Sequence, residues 1–279
     1  MSDPGILSVV CDDVFAADVA LGQARLVYAD PPYTRTDYFG YGVAPDWRQL
    51  VERMLELAAE DAVLVIQVGS GNLYELLPIV EEIAPRRRIR SGTGNRARTL
   101  AWVKPWGAWR PNTTFQYSWE PIVVFYGLRY RHPRMALTGA EADWFCCPPV
   151  RADDVGHPTP KPPQLLHWLF DRLLTDARGR LAIDLFAGSG AAAIAACRYG
   201  LDAIAIERNP AYADLIRARA GEQLGGRTTP LEAAGIQQQL DGLDGGRLVN
   251  VGSRPRPPHY KRRRSHLSAS LRRRREAGT

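Results

Sequence analysis

Apolar residues along the first half of the chain fall into two alternating rhythms. Almost unbroken apolar runs occur at 25–29 (RLVYA), 62–68 (AVLVIQV), 100–103 and 122–126. Between them, residues 47–60 (WRQLVERMLELAAE) and 72–84 place apolar residues at helical spacing, the second stretch interrupted at Pro78. Unbroken runs suit strands buried on both faces of a parallel sheet, and the 3.6-residue period suits the helices that cover it. The alternation lapses over residues 127–156, which hold Gly, Pro, Asp and basic residues without a period. It resumes with a helix over 164–175, where Leu165, Leu166, Leu169, Phe170, Leu173 and Leu174 form one stripe. A strand at 181–186 (LAIDLF), an alanine-rich helix to Tyr199 and a strand at 203–207 (AIAIE) follow. Asn209 is placed to cap one more helix, with Pro210 in its first turn. Strands alternating with helices predict an α/β fold built on a doubly wound, mostly parallel sheet.

Composition excludes several classes. No run of about 18 apolar residues is present, so no membrane span is expected. Residues 1–7 lack a basic stretch followed by an apolar one, so no secretory signal is expected. The cysteines, Cys11, Cys146, Cys147 and Cys197, form no CxxC pair, which fits a reducing cytoplasm better than a disulfide framework. His132, Cys146, Cys147 and His157 could gather round a metal, but two thiols and two loop histidines without one is the simpler reading, and no metal is expected. Charge is uneven. Residues 251–279 carry ten Lys/Arg against Glu276 alone, a sum of +9, so with a net charge of +6 the first 250 residues sum to −3. Such a tail is expected to be disordered. It serves either for phosphate contacts or as a solubilising end.

The candidate chemistry sits at strand ends. Residues 184–190 read Asp-Leu-Phe-Ala-Gly-Ser-Gly, a strand-to-helix turn in which Gly188, Ser189 and Gly190 allow a ligand close to the backbone. No Lys-Ser/Thr follows Gly190, so the turn is not a P-loop. Glu207 ends the next strand, where an acid can take the ribose hydroxyls of a nucleoside. Asp184 either positions the ligand or forms the turn, and Phe186 is core or cofactor wall. Asp12 follows the apolar run 7–11 and either accepts from an adenine amino group or ends that strand. This unit suits NAD or S-adenosylmethionine equally.

The 25–29 strand delivers Asp30-Pro31-Pro32-Tyr33. The prolines fix φ and remove donors, leaving carbonyls as acceptors in a stiff loop. The Asp30 carboxylate and the Pro31 carbonyl can accept the two hydrogens of an exocyclic amine while Tyr33 stacks on its base, worth about 1–3 kcal/mol. An amine held in this way suits a sulfonium methyl donor, which favours S-adenosylmethionine. A paired base would have to be flipped out of the duplex to reach such a site.

With these two elements in this order, the chain resembles the β-type DNA amino-methyltransferases. His157-Pro158-Thr159-Pro160-Lys161-Pro162 resembles the HPTxKP element of that family, with Pro160 where Gln is usual, and Trp102, Lys104, Trp119 and Glu120 resemble its framework segments. The likeness runs over about residues 8–220. It implies an S-adenosylmethionine-dependent methyltransferase fold over 1–220, a short recognition insertion at 128–156, a linker at 221–250 and the basic tail at 251–279. It implies that Asp30, Pro31, Pro32 and Tyr33 hold the base. Asp12, Asp30, Thr159, Lys161, Asp184, Phe186, Gly188, Ser189, Gly190 and Glu207 would surround the donor. The implied activity is site-specific transfer to adenine N6 in double-stranded DNA, because Asp at position 30 is commoner in the adenine enzymes and Ser in the cytosine ones. N4-cytosine methylation, a DNA-binding protein without catalysis and an RNA substrate are the alternatives. The short insertion implies a short target, loose specificity or help from a second copy in a homodimer.

Arg96 and Arg98, in the cluster with Arg86, Arg87, Arg88 and Arg90, are expected to contact phosphate or to line a solvated edge. Lys104 and the tail residues Arg262, Arg263 and Arg264 are further phosphate candidates. Deleting residues 251–279 should lower DNA affinity chiefly at low salt and flatten the salt dependence of binding. An unchanged slope in a binding titration would make the tail a solubilising end.

Overall fold

The computed structural model describes residues 4–230 apart from 20, 35–41, 86–95, 109–113, 116, 132–141, 175–176 and 227. The chain divides into two units, Met1–Leu243 and Asp244–Thr279, and every described residue belongs to the first. Among the described residues nine strands form one sheet: β1 (Leu7–Val10), β2 (Ala24–Ala29), β3 (Ala58–Gln67), β4 (Ala97–Ala108), β5 (Tyr117–Tyr126), β6 (Trp144–Cys146), β7 (Leu181–Asp184), β8 (Asp202–Ile206) and β9 (Thr228–Pro230). Their order is β6-β4-β5-β3-β2-β7-β8-β1-β9. Every neighbouring pair is parallel except the two that involve β5, so β5 alone of these strands runs against the rest.

The α-helices described over the sheet are α1 (Trp47–Leu57), α2 (Leu73–Ile83), α3 (Pro163–Leu173), α4 (Ala191–Arg198) and α5 (Pro210–Gln223). Alternate residues of each central strand enter different cores. Val27, Leu64, Ile66, Val123 and Phe125 pack with α1 and α2 on one face. Leu26, Val63, Val65, Ile122 and Val124 pack with α3, α4 and α5 on the other. Burial on both faces is why these strands read as continuous apolar runs.

The local signals behave as their chemistry requires. The Asp46 carboxylate caps α1 by accepting from the N–H groups of Arg48 (2.9 Å) and Gln49 (3.1 Å). Asn209 caps α5 by accepting from Ala211 N–H at 3.0 Å. α2 runs through Pro78 without a break. The carbonyl that the missing N–H leaves unbonded is that of Tyr74, in the first turn on a residue 85% exposed, where water can serve it. One boundary differs from the sequence pattern. α1 ends at Leu57, not 60, because Ala58 turns extended and pairs with Ala24 of β2. Sheet pairing outweighs the good helix propensity of Ala58, Ala59 and Glu60. At the other end, α5 continues to Gln223 and β9 adds to β1 at the sheet edge.

The chain winds outward from the centre in two directions. From β2 it passes through α1 to β3 on one side, and from β7 through α4 to β8 on the other. Neighbouring loops after β2 and β7 therefore diverge, and in such sheets the crevice at the carboxyl ends of the strands is where ligands bind. Among the described residues no helix is long and apolar enough to cross a membrane. Leu64, fully buried at the centre of the sheet, tests the packing. Leu64→Ala should cost about 2–5 kcal/mol. Urea unfolding should show a lower midpoint with an unchanged slope, and an unchanged midpoint would contradict the packing.

Candidate active site

Asp30-Pro31-Pro32-Tyr33 leaves the carboxyl end of β2 and curls back on itself. The Tyr33 hydroxyl donates to Asp30 Oδ1 at 2.6 Å, while the Lys161 ammonium pairs with Asp30 Oδ2 and lies 5.6 Å from the centre of the Tyr33 ring. Burial pushes the Asp30 carboxyl upward, and Lys161 and the Tyr33 hydroxyl pull only part of that back. Pro31 is buried. The Tyr33 backbone is braced by Asn72, whose Nδ2 donates to its carbonyl at 3.2 Å. Gly69 leaves room for the ring: a Cβ there would stand 3.3 Å from the Tyr33 Cβ. Lys161, which the resemblance puts beside the donor, reaches the clamp instead.

A second carboxylate lies beneath Tyr33. Because β5 runs antiparallel, its first residues sit at the carboxyl edge of β2 and β3, and this brings Glu120 into the crevice. Glu120 Oε2 accepts from Gln67 Nε2 (3.0 Å) and lies 3.3 Å from the Tyr33 hydroxyl, and its Oε1 pairs with the Lys104 ammonium. Gln67, 1% exposed, accepts in turn from the Tyr28 hydroxyl at 2.9 Å. Burial pushes the Glu120 carboxyl up, but Lys161, Lys104 and the Gln67 amide outweigh it and hold it below its ordinary value. Gln67, Tyr28 and the polar role of Glu120 escaped the sequence reading. The one local trace is a glutamine inside the apolar run 62–68.

The glycine turn follows β7 on the neighbouring strand. Gly188 (φ +50°) and Gly190 (φ +75°) are left-handed, where side chains strain the backbone. A Cβ on Gly188 would stand 2.8 Å from His157 Nε2, and one on Gly190 would stand 2.9 Å from Ile216. Glu207 bridges the turn to the end of β8: its Oε2 accepts from Gly188 N–H (2.8 Å) and its Oε1 from Asn209 N–H (2.7 Å). Ser189 is buried, and its carbonyl accepts from Arg219. The His157 ring packs edge-on to Tyr212 at 4.7 Å and accepts from Thr159 N–H at 3.3 Å. Burial, helped by Lys161 and Arg219, pulls the His157 pKa down to about 4, so the ring is neutral at pH 7. Phe186 is half-buried and packs against the core under α1 and α2. Thr159 is exposed. Asp12 is exposed just past β1, and its Oδ1 accepts from Asp13 N–H at 2.7 Å. It lies on the Glu207 side of the crevice, since Glu207 N–H donates to the Val10 carbonyl at 3.0 Å.

Asp184 is the most perturbed acid of the site. It is 3% exposed, and its Oδ1 meets no hydrogen-bond partner among the described residues. Burial pushes its pKa up to about 8, assisted by the Asp30 and Glu207 charges and opposed by the N–H groups of Ala193 and Phe186. Among the described residues no group of three His, Cys, Asp or Glu side chains could hold a metal ion.

The phosphate candidates need revision. Arg96 spends its guanidinium on the carbonyls of Glu82 and Ala84 (2.8 Å to the latter), closing the end of α2, and its N–H donates to Glu81. Lys104 is an inward partner of Glu120, its side chain only 13% exposed. Arg98 is exposed on β4. Arg86, Arg87, Arg88, Arg90, Arg262, Arg263 and Arg264 lie outside the described residues.

This fold, with a glycine turn on one lip of the crevice and an acid–aromatic clamp on the other, is that of the S-adenosylmethionine-dependent methyltransferases. Residues 24–218 match the N6/N4 DNA methylase family, and the chain belongs to that family. Similar solved structures include M1.HpyAVI in complex with S-adenosylmethionine, 16% identical, covering 77% of this chain and 100% of that one with a TM-score of 0.55. The cytosine-N4-specific PvuII DNA methyltransferase is 14% identical and covers 88% and 95%, with a TM-score of 0.61. A DNA modification methylase, TTHA0409 of Thermus thermophilus, complexed with S-adenosyl-L-methionine, is 18% identical and covers 81% and 100%, with a TM-score of 0.53. No curated protein matches the chain.

The buried Asp184 has a measurable signature. With its pKa raised to about 8, the folded protein holds more protons than the unfolded chain, so stability falls as pH rises. His157 acts oppositely between about 4 and its ordinary 6.5. From pH 6.5 to 8 the fall should therefore be visible in the melting temperature of the ligand-free protein and absent in Asp184→Asn. Parallel curves for the two proteins would contradict the assignment.

Proposed function

We propose that the protein is a cytoplasmic DNA methyltransferase that transfers a methyl group from S-adenosylmethionine to the exocyclic N6 of adenine in double-stranded DNA. The observation that carries this reading is the register Tyr28↔Asp184 between neighbouring parallel strands. It puts the clamp after β2 and the glycine turn after β7 on opposite lips of one crevice.

The charges favour this donor over a dinucleotide. The turn amide that could cradle a phosphate, Gly188 N–H, is already taken by Glu207, and Asp184 and Asp30 add further negative charge. A diphosphate would be repelled there. A cation is attracted, and the unpartnered Oδ1 of the buried Asp184 suits an ammonium group. When bound, the donor supplies an electrophilic methyl on a positively charged sulfur. Asp184, Phe186, Gly188, Ser189, Gly190 and Thr159 hold it, Glu207 faces its ribose and Asp12 its adenine.

On the other lip, Asp30 and the Pro31 carbonyl accept the hydrogens of the target amine, which frees the nitrogen lone pair from the ring. Pro32 stiffens the loop, and the Tyr33 ring stacks on the flipped base. Lys161, already on Asp30, keeps that carboxylate ionised despite its burial. Most of the rate then comes from position. The Asp at position 30 supports adenine. N4-cytosine is the second reading, favoured by the likeness to the PvuII fold.

Asp30→Ala should lower the turnover number by at least about a hundredfold while calorimetry shows donor binding retained. Digesting the methylated DNA to nucleosides should yield N6-methyladenine. Recovery of N4-methylcytosine would select the second reading, and wild-type turnover in Asp30→Ala would remove the clamp from the mechanism.

A further inference from the structure

Tyr33 is mounted at two points. At its backbone end it is held by Asn72 and packed against Gly69. At its far end the hydroxyl lies between two carboxylates, 2.6 Å from Asp30 and 3.3 Å from Glu120. Glu120 belongs to neither the clamp loop nor the glycine turn. It arrives on β5 and is itself immobilised by Lys104 from β4 and Gln67 from β3. A fold-holding ion pair would need only Lys104. The added bonds to Gln67 and towards Tyr33 aim this acid at the clamp. Asp30, Glu120, Lys161 and Lys104 together form a charge-neutral quartet about one phenol.

We propose that Glu120 is a positioning residue for methyl transfer: it anchors the Tyr33 hydroxyl so that the ring face and the Asp30 carboxylate meet the target base in one fixed geometry. This rests on the Asp30 clamp reading above. Glu120 touches neither donor nor base, and its effect passes through Tyr33 and through charge on Asp30.

The groups facing Asp30 are Lys161 from the segment before α3, Tyr33 from its own loop, Tyr28 from β2, Asp184 from β7 and Glu120 from β5. The Glu120 charge raises the affinity of Asp30 for a proton. Removing that charge while keeping the side-chain shape therefore moves the titration of Asp30 to lower pH.

Glu120→Gln is the test, with turnover followed as transfer of labelled methyl from S-adenosylmethionine to unmethylated duplex DNA. The turnover number should fall about ten- to a hundredfold, the value of a bond to a charged group. Donor affinity by calorimetry should hold, and the acid limb of the turnover–pH profile should move to lower pH. Tyr33→Phe, which keeps the ring, should lose a similar factor, and the double variant should lose no more than the worse single one. A lower turnover with the acid limb unmoved, additive losses, or wild-type turnover in Glu120→Gln would each overturn the assignment. Should Glu120→Gln fail to fold, Tyr33→Phe decides: full turnover without the hydroxyl overturns it as well. An active Asp30→Ala would instead sink the clamp reading itself.

Discussion

The pairing of β2 with β7 is the constraint on which everything else depends. It joins residues more than 150 positions apart, with Leu185 N–H donating to the Tyr28 carbonyl at 2.9 Å as the last rung before the two loops separate. Backbone ladder bonds set this register, and a slip by one residue would turn Tyr28 and Asp184 to the opposite faces of the sheet. Because the chain winds away from this pair in both directions, none of the described helices fills the gap above it. The crevice is a consequence of connectivity, and the side chains that line it are those that happen to end these strands.

Within that crevice the electrostatics are closely balanced. Asp30 and Glu120 are matched by Lys161 and Lys104, while Asp184 and Glu207 have no lysine of their own among the described residues and rely on backbone N–H groups. The donor side is therefore left acidic and the clamp side neutral. That difference suits a cationic donor on one lip and an uncharged base on the other. It also explains why Lys161 and Lys104 turn inward although DNA is a polyanion. A buried carboxylate without a partner costs more than a lost surface contact to phosphate returns.

Much of this was readable along the chain. The strands that are buried on both faces announced themselves as unbroken apolar runs, and the caps at Asp46 and Asn209 obey local rules that need no tertiary partner. The clamp and the glycine turn were equally legible, since both depend on backbone restriction by proline or glycine within a few residues. Lys161 was visible as part of a motif, but its partner was not. An ammonium on a long flexible stem can serve either lip, and only the distance to Asp30 decides between them. Arg96 and Lys104 misled for the same reason: a basic residue in sequence carries no sign of whether the end of α2 or a buried acid will claim it.

What the linear chain settled, then, was everything governed by neighbours within one turn or one strand: periodicity, caps, the rigid loop after β2 and the left-handed turn after β7. What folding alone settled was which distant groups meet. The reversal of β5 is the plainest case. Antiparallel pairing with β3 carries Glu120 to the edge where Asp30 lies, and a parallel β5 with the same residues would bury that carboxylate at the opposite end of the sheet. Strand direction arises from the path of the connecting chain, which leaves no mark on the strand's own residues.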